Sequence, residues 1–142
     1  MLYIANDHGG YDLKTRIIAY LDKIGIEYVD LGTNSAESVD FPVFCNKLVN
    51  EVIKDDNNRG ILICGSGIGM SICANRNKGI RAALCTDVNM SKLCRQHNNA
   101  NVLVLPGRYM NITKAKKVVD AFLNTEFLGG KYKTRMDMID EL

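Results

Sequence analysis

The stretch that decides the fold reads Gly60-Ile61-Leu62-Ile63-Cys64-Gly65-Ser66-Gly67-Ile68-Gly69-Met70-Ser71. It begins as a short apolar run of the kind that forms a fully buried strand, and a helical pattern follows over residues 68–75. Three alternating glycines stand between the two segments, where a tight turn needs backbone freedom. A buried strand that leads through such a turn into a helix is typical of a βαβ unit.

The same alternation of short apolar runs and helical patterns continues along the chain. The apolar runs predict four further strands, at residues 1–5, 26–31, 80–85 and 102–105. Helical spacing predicts four further helices, at residues 11–24, 41–55, 88–96 and 113–123, and a final turn of helix after residue 129. Strands that alternate with helices in this way form a parallel sheet covered by helices on both faces.

Local signals mark the ends of two of these helices. Gly25 is placed to end the first helix, because glycine readily adopts the left-handed backbone of a helix C-terminus. Asp40 is placed to cap the 41–55 helix, and Pro42 falls inside its first turn.

Length and composition indicate one globular domain. The chain has 142 residues, of which 46% are hydrophobic and 24% charged, a balance typical of globular proteins. Folding at this length removes about 70% of the extended chain's surface from water, so one core can form without disulfides or metal. Since the sequence shows no repeat and no linker, we predict a single domain over residues 1–142.

Charge and cysteine usage exclude several partners. Eighteen Lys and Arg against sixteen Asp and Glu give a net charge of +2, which is too small to favour nucleic-acid binding. No apolar run approaches the roughly 20 residues that span a bilayer, and residues 1–5 are too short for a signal peptide. The five cysteines are odd in number and form no CxxC pair, so we expect a reducing, cytoplasmic location and no membrane partner.

Polar and glycine-rich residues follow the predicted strands. In an open α/β sheet, ligands bind beyond the carboxyl ends of the strands, so these residues are the first candidates for a site. Four segments are expected there: Asn6–Gly10, Gly65–Gly69, His97–Asn99 and Pro106–Arg108.

The loop Gly65–Gly69 is the most informative of these segments. Its glycines allow backbone N–H groups to approach an anion closely, and the following helix adds its positive end. The pattern is not the dinucleotide fingerprint, because residue 70 is Met, and no Walker loop is present. A tight turn without a ligand is the alternative interpretation.

Cys64 ends the strand before this loop. The positive end of a helix favours the thiolate form of a nearby cysteine, which makes Cys64 a candidate base or nucleophile. The alternative is a buried core cysteine. The remaining cysteines are expected to be buried apolar residues. They are Cys45, Cys73, Cys85 and Cys94.

Two histidines, one aspartate and two arginines complete the candidates. His8 and His97 are the only histidines, and no pair of ligands has the spacing of a zinc site, so no metal is expected. Asp7 either orients an imidazole or a sugar hydroxyl, or caps the first helix. Arg108 and Arg135 are candidates for binding a phosphate.

Five blocks of sequence carry a resemblance to a known family. The blocks are Asp7–Gly10, Asp40–Pro42, Gly60–Ser71, Lys78–Ala83 and Arg95–Leu103. In this order they closely resemble the type B ribose-5-phosphate isomerases, whose sugar-phosphate isomerase family also includes the subunits of galactose-6-phosphate isomerase. The resemblance covers essentially the whole chain.

The resemblance implies a pentose phosphate pathway isomerase that interconverts ribose 5-phosphate and ribulose 5-phosphate without metal or cofactor. It implies an α/β fold, a Rossmann-like three-layer sandwich with a five-stranded parallel sheet. The family forms homodimers or tetramers with active sites shared between subunits. Its base is this cysteine in one branch and a glutamate a few residues later in another. Residues 70–73 contain no Glu, so the chain resembles the cysteine branch.

The resemblance also implies catalytic roles. Cys64 is the base, and Ser66 moves or stabilises protons between the two reacting oxygens. His97 opens the sugar ring, with His8 and Asp7 as the alternative pair.

Binding roles are implied for a further set of residues. Backbone N–H groups form the anion site at Gly65, Gly67, Ile68 and Gly69. Sugar hydroxyls are expected to contact Asn98 and Asn99. The phosphate is expected to contact Arg108 and Arg135, with Lys131 and His8 nearby.

The chain departs from the family at two places, and alternatives remain open. Phe41 stands where the family has Tyr, and Lys131-Tyr132 stands where it has Arg-His. These changes affect the phosphate contacts and the choice of substrate. One alternative is an isomerase of a six-carbon sugar phosphate, such as allose or galactose 6-phosphate. Another is a non-catalytic sugar-phosphate sensor, and a third, disfavoured by the absence of CxxC, is a thiol redox protein.

The C-terminal tail, residues 129–142, is expected at the subunit interface. Exposed apolar patches usually mark such interfaces. The expected patch comprises Met110, Phe127, Tyr132, Met136 and Ile139.

Overall fold

Five strands form one sheet at the centre of the computed structural model, which describes residues 1–142. Their bounds are β1 Leu2–Asn6, β2 Tyr28–Asp30, β3 Arg59–Cys64, β4 Ala82–Leu84 and β5 Val102–Pro106. The strands lie in the order β2-β1-β3-β5-β4, and every neighbouring pair is parallel. The predicted five-stranded parallel sheet is therefore confirmed.

Six α-helices connect the strands and follow the last of them. Their bounds are α1 Tyr11–Ile24, α2 Phe41–Val52, α3 Ile68–Asn75, α4 Val88–Gln96, α5 Ile112–Asn124 and α6 Lys131–Asp140. A 3₁₀ turn at His8–Gly10 separates β1 from α1. Gly25 ends α1 with a φ of 76°, as predicted. None of these helices has both the length and the apolar character that crossing a bilayer requires.

Helices cover both faces of the sheet. On one face, α1, α4 and α5 pack against the strands, and on the other face α2 and α3 do so. Because successive side chains of a strand point to opposite faces, Ile61 and Ile63 enter the first core. Leu62 and Cys64 enter the second core. The predicted three-layer arrangement is confirmed.

The two edge strands are shorter than the sequence pattern predicts. β2 and β4 each span three residues, against the predicted ranges 26–31 and 80–85. Each pairs with a single neighbouring strand along three residues. The other apolar residues of the predicted ranges lie outside these paired segments.

Two helices also differ from the prediction. α2 ends at Val52 rather than residue 55, because residues 55–58 form a turn in which the Asn58 N–H donates to the Asp55 carbonyl. Asp40 precedes α2, but its side chain makes no capping hydrogen bond. α6 is a ten-residue helix rather than a single turn, and tertiary contacts of its buried Met136 help to hold it.

The connections leave β1 and β3 in opposite directions across the sheet. From β1 the chain passes to β2 at one edge and then returns to β3 on the other side of β1. A crevice forms at such a reversal, beyond the carboxyl ends of the two strands. In this protein those ends carry Asp7 and Cys64.

Candidate active site

Three loops meet at the carboxyl edge of the sheet, after β1, β3 and β5. They approach one another backbone to backbone at Gly9, Gly65 and Gly107. A Cβ atom on Gly9 would lie 2.9 Å from the Gly65 nitrogen, and one on Gly107 would lie 2.8 Å from the Gly9 oxygen. Since a side chain would force the loops apart, these glycines bring the neighbouring residues into one site.

Cys64 and Asp7 are close neighbours at this junction of loops. The Asp7 N–H donates to the Ile63 carbonyl at 3.1 Å, which fixes Asp7 beside the end of β3. Both side chains are largely buried, with 5% of Cys64 and 9% of Asp7 exposed. Asp7 Oδ1 accepts from the Gly10 N–H at 3.2 Å, so Asp7 caps the 3₁₀ turn while its second oxygen stays available.

The loop Gly65–Gly69 presents several free backbone donors. Gly67 has a φ of 78°, a conformation that favours glycine and turns the chain into α3. The N–H groups of Ser66, Gly69 and Met70 have no acceptor within the chain. Because the N-terminus of α3 adds positive partial charge to these donors, the loop can bind an anion.

Ser66 and His8 have defined hydrogen-bond roles beside the loop. Ser66 Oγ accepts from the Ile68 N–H at 3.2 Å, so its hydroxyl proton is free to donate. His8 Nδ1 accepts from the Val39 N–H at 3.2 Å, which places the proton of the neutral ring on Nε2. Both side chains can therefore donate to oxygen atoms of a ligand.

Arg108 and Phe41 pack against the same loop. A Cβ atom on Gly65 would lie 3.3 Å from Arg108 Nη1, so the guanidinium rests on the loop backbone. Arg108 makes no ion pair within the chain, and its charge is free for an anionic group. The Phe41 ring fills the space beside Gly69, where no side chain would fit.

Cys64 lies where the carboxyl ends of the strands meet, whereas His97 lies at the other end of the strands, which is called the amino edge. His97 follows α4, which begins after the carboxyl end of β4 and returns the chain to the amino edge. There the Gly60 N–H, at the start of β3, donates to the Asn101 carbonyl at 2.9 Å. The prediction that residues 97–99 lie at the carboxyl edge is therefore wrong, because they follow a helix and precede a strand.

Further predicted site residues gather around His97. The His97 ring stacks on Tyr132, with centroids 4.2 Å apart and an angle of 9° between the planes. Lys131 Nζ and the Arg135 guanidinium lie 5.3 and 5.9 Å from the centre of the Tyr132 ring. Neither cation has a carboxylate partner, so both charges are available to an anionic ligand.

Asn98 and Asn99 follow His97 but have different surroundings. Asn98 is exposed, and its Nδ2 lies 4.0 Å from Met136 Sδ. Asn99 Oδ1 accepts from the buried Arg95 at 3.1 Å. Asn98 is therefore free to contact a ligand, whereas the side-chain oxygen of Asn99 holds the turn.

The structure thus divides the predicted residues into two groups. The carboxyl-edge group comprises Asp7, His8, Cys64, Gly65–Gly69 and Arg108. The amino-edge group comprises His97, Asn98, Asn99, Lys131 and Arg135. A strand rises about 3.3 Å per residue, so the length of β3 from Gly60 to Cys64 alone separates the two edges by about 13 Å.

The apolar patch expected around the C-terminal tail is partly buried. Met110 and Met136 are 7% and 9% exposed, so the prediction that they are exposed is wrong. Met110 belongs to the core beside α5, and Met136 is the buried residue of α6. The exposed large apolar residues of the C-terminal segment are Leu128, Met138, Ile139 and Leu142.

Two residues beside the candidate groups, Asn6 and Tyr132, make contacts that the sequence does not predict. Asn6 is fully buried at the end of β1, where its Nδ2 donates to the Asp7 carbonyl at 2.9 Å and its Oδ1 has no partner. An asparagine that closes an apolar strand was the available signal. For Tyr132 the sequence predicts a departure from the family and a place in the apolar patch, but not the stack on His97, because a stack between separate segments leaves no local pattern.

The remaining cysteines lie in both cores. Cys45, Cys85 and Cys94 are buried as predicted, whereas Cys73 is partly exposed. Burial raises the pKa of the Cys45 thiol, and a hydrogen bond with Cys73 adds to the rise. No three or more metal-binding side chains gather anywhere in the chain.

Comparison with known protein sequences gives one consistent family. The model of the family described as Ribose/Galactose Isomerase matches residues 2–139. Ribose-5-phosphate isomerase B of Escherichia coli strain K12 is 41% identical to the chain over 133 residues, which cover 94% of this chain and 89% of that protein.

Solved structures give the same result. A crystal structure of a ribose 5-phosphate isomerase from Thermotoga maritima has a TM-score of 0.97 and 49% identity, and covers 99% of this chain and 97% of that one. Ribose-5-phosphate isomerase B from Mycoplasma genitalium, crystallised with bound ribulose 5-phosphate, has a TM-score of 0.94 and 39% identity. That match covers 99% of this chain and 93% of the other.

Proposed function

Because the chain belongs to the ribose/galactose isomerase family, we propose that it interconverts ribose 5-phosphate and ribulose 5-phosphate. The observation that carries this function is the position of Cys64, beside Asp7 and directly before a loop with free N–H groups. An aldose–ketose isomerase needs a base within reach of two adjacent carbons and donors that meet a developing oxyanion.

Cys64 is the proposed base. Its thiolate takes the proton from C2 of the open-chain aldose. The electron pair of that C–H bond forms the C1–C2 double bond, and the π electrons of the C1 carbonyl move onto O1 to give an enediolate. The thiol then returns the proton to C1, while the O2 hydroxyl proton passes to O1 and C2 becomes the carbonyl carbon. Residues 70–73, in the middle of α3, hold no carboxylate that could compete for this role.

The loop Gly65–Gly69 is the proposed site for the enediolate. Its free N–H groups and the Ser66 hydroxyl provide donors that need no rearrangement during the reaction. One well-placed donor of this kind is worth about 10²–10³ in rate. Ser66 is also suited to carry the proton between O1 and O2, because its oxygen is held by a backbone donor while its own proton is free.

Ring opening is the proposed role of His97, supplied by a second copy of the chain. The base must take the proton of the O1 hydroxyl while the ring oxygen O4 receives a proton and the C1–O4 bond breaks. His8 and Asp7 are the alternative pair within the carboxyl-edge group. Asn98, beside His97, and the free amide of Asn99 are proposed to contact sugar hydroxyls from the same side.

The phosphate is proposed to bind Arg108 from one chain together with Arg135 and Lys131 from the other. Arg108 rests on the loop that holds the reacting carbons, and the other two cations flank Tyr132 beside His97. None of the three has a carboxylate partner. A phosphate at this position would neutralise charge from both sides of a subunit interface.

The working unit proposed here is a homodimer or a tetramer built from it. The two groups of site residues lie on opposite edges, so an isologous pair would complete two sites at once. The tail, residues 129–142, would lie in that interface and contribute its exposed apolar side chains. A reducing compartment, the cytoplasm, would keep Cys64 as a free thiol.

The test is a coupled assay on metal-free protein with ribose 5-phosphate, allose 6-phosphate and galactose 6-phosphate. We expect turnover of the five-carbon substrate and its loss in Cys64→Ala. Turnover restricted to a six-carbon substrate would favour the hexose alternative. Binding of all three phosphates without turnover of any would favour the sensor.

A further inference from the structure

Arg81, just before β4, binds the turn after His97 and the last turn of α6, the helix that carries Lys131 and Arg135. Its Nε donates to the Asn99 carbonyl at 2.9 Å, and its Nη1 lies 3.3 Å from both carboxylate oxygens of Asp140, at the end of α6. The side chain is 19% exposed. One guanidinium therefore ties the turn after His97 to the helix that carries Arg135.

The turn after His97 depends on such support. Asn99 has a φ of 46°, a left-handed conformation that only a few residue types adopt readily. Arg95 holds the side-chain oxygen of Asn99, and Arg81 holds its backbone oxygen. The backbone of Arg81 is fixed in turn, because its N–H donates to Asn101 Oδ1 at 2.8 Å.

Helix α6 has few other anchors. Met136 is its one buried residue. Its first turn is held by the stack of Tyr132 on His97 and its last turn by the pair of Asp140 with Arg81. The remaining ion pair of the helix, Lys133 with Asp137, lies within α6 and is exposed, so it cannot fix the helix to the body of the protein.

We propose that Arg81 is a positioning residue for catalysis. It sets the relative placement of His97 and Arg135 by binding the Asn99 carbonyl and the Asp140 carboxylate together. This inference rests on the proposed function, because it assumes that the amino-edge group acts on the substrate. Arg81 itself does not touch the reacting atoms.

The test compares Arg81→Met, Arg81→Lys and Asp140→Asn with the control Asp137→Asn, which removes an exposed pair from the same helix. We expect Asp140→Asn to raise the KM for ribose 5-phosphate about threefold at unchanged kcat, since a partly exposed ion pair is lost. Arg81→Met also loses a charge-assisted hydrogen bond and should lower kcat/KM about tenfold or more. A lysine reaches one of the two acceptors at a time, so the kcat/KM of Arg81→Lys should lie between the values for Asp140→Asn and Arg81→Met.

A second readout does not depend on activity. The chain has two histidines, so the ring protons of His97 can be assigned by NMR with a His8→Gln variant. Tyr132 stacked on His97 should shift these protons, and the shift should shrink in Arg81→Met and Asp140→Asn but persist in Asp137→Asn.

The two readouts separate failure of this inference from failure of the proposed function. The positioning role would be overturned if Arg81→Met and Asp140→Asn showed the same His97 signals and the same kinetic constants as the control Asp137→Asn. If the wild-type protein does not isomerise ribose 5-phosphate, the proposed function fails, while the His97 shifts alone decide whether Arg81 places the stack.

Discussion

Cys64 and His97 lie at opposite edges of one parallel sheet, one at the end of β3 and the other after α4. The length of β3 alone separates these edges by about 13 Å, so the Cys64 and His97 side chains of one chain do not face a common pocket. If both act on one substrate, they come from different subunits.

Mixing two inactive variants tests this arrangement. Cys64→Ala and His97→Ala chains, mixed in equal amounts and allowed to exchange, should recover about a quarter of wild-type activity, because half of the dimers are heterodimers with one intact site of two. The matched control mixes Cys64→Ala with Ser66→Ala, which belong to the same group and should recover nothing. Failure of the first mixture despite demonstrated exchange would place Cys64 and His97 in one chain's site.

Separate roles for Cys64 and His97 can be read from hydrogen exchange. Cys64→Ala should lose about 10²–10⁴ in turnover, the usual scale for a positioned base, and should lose exchange of the C1 proton of ribulose 5-phosphate with solvent. Ribulose 5-phosphate has no furanose ring, so His97→Ala should retain that exchange while losing turnover of ribose 5-phosphate. NMR in D₂O measures both, and loss of exchange in His97→Ala would contradict a role limited to ring opening.

Arg108 and Arg135 should act mainly on substrate affinity. Phosphate contacts persist from ground state to transition state, so replacing either residue by Ala should raise KM about tenfold or more with a smaller effect on kcat. Arg76→Ala, at an exposed arginine after α3, is the control and should leave both constants unchanged. A fall in kcat at constant KM would argue against phosphate binding.

Alkylation should distinguish the cysteines of the α2–α3 side. The raised pKa of Cys45, caused first by its burial, keeps that thiol protonated at about pH 8, where thiolates react. Mass spectrometry after iodoacetamide should therefore find Cys45 unmodified and the partly exposed Cys73 modified with or without substrate. Cys64 should be modified only when ribose 5-phosphate is absent, and equal labelling in its presence would count against Cys64 as the base.

Removal of divalent metal should leave the rate unchanged. The proposed chemistry uses a thiol and backbone donors, and a metal site needs a ligand set of three or more side chains. Dialysis against a chelator followed by the coupled assay is the measurement. A loss of activity that a divalent ion restores would refute the metal-free mechanism.

The carboxyl-edge group could be predicted because its residues directly follow apolar strands. Cys64 ends β3 and Asp7 directly follows β1, so the rule for ligand sites in parallel sheets applies to them without further information. The same rule failed for His97. The predicted helix over 88–96 already returned the chain to the amino edge, so the direction of that helix was the signal that placed His97 on the other side.

Contacts between distant segments could not be predicted. The stack of His97 on Tyr132 joins residues with no common pattern, and the pair of Arg81 with Asp140 spans 59 positions. The length of α6 depended on these contacts, since its sequence buries a single residue. The helix propensity of its residues alone stabilises a helix of ten residues only weakly.

At the junction of Gly9, Gly65 and Gly107, main-chain atoms of neighbouring loops lie directly against one another, so no side chain can be inserted between the loops at the floor of the candidate site. Many enzymes close a mobile lid or loop over the substrate to exclude water from the reacting atoms. Here the wall opposite the floor would belong to a second subunit. Formation of the dimer would then exclude water from the site permanently, whereas a mobile lid must close in every catalytic cycle.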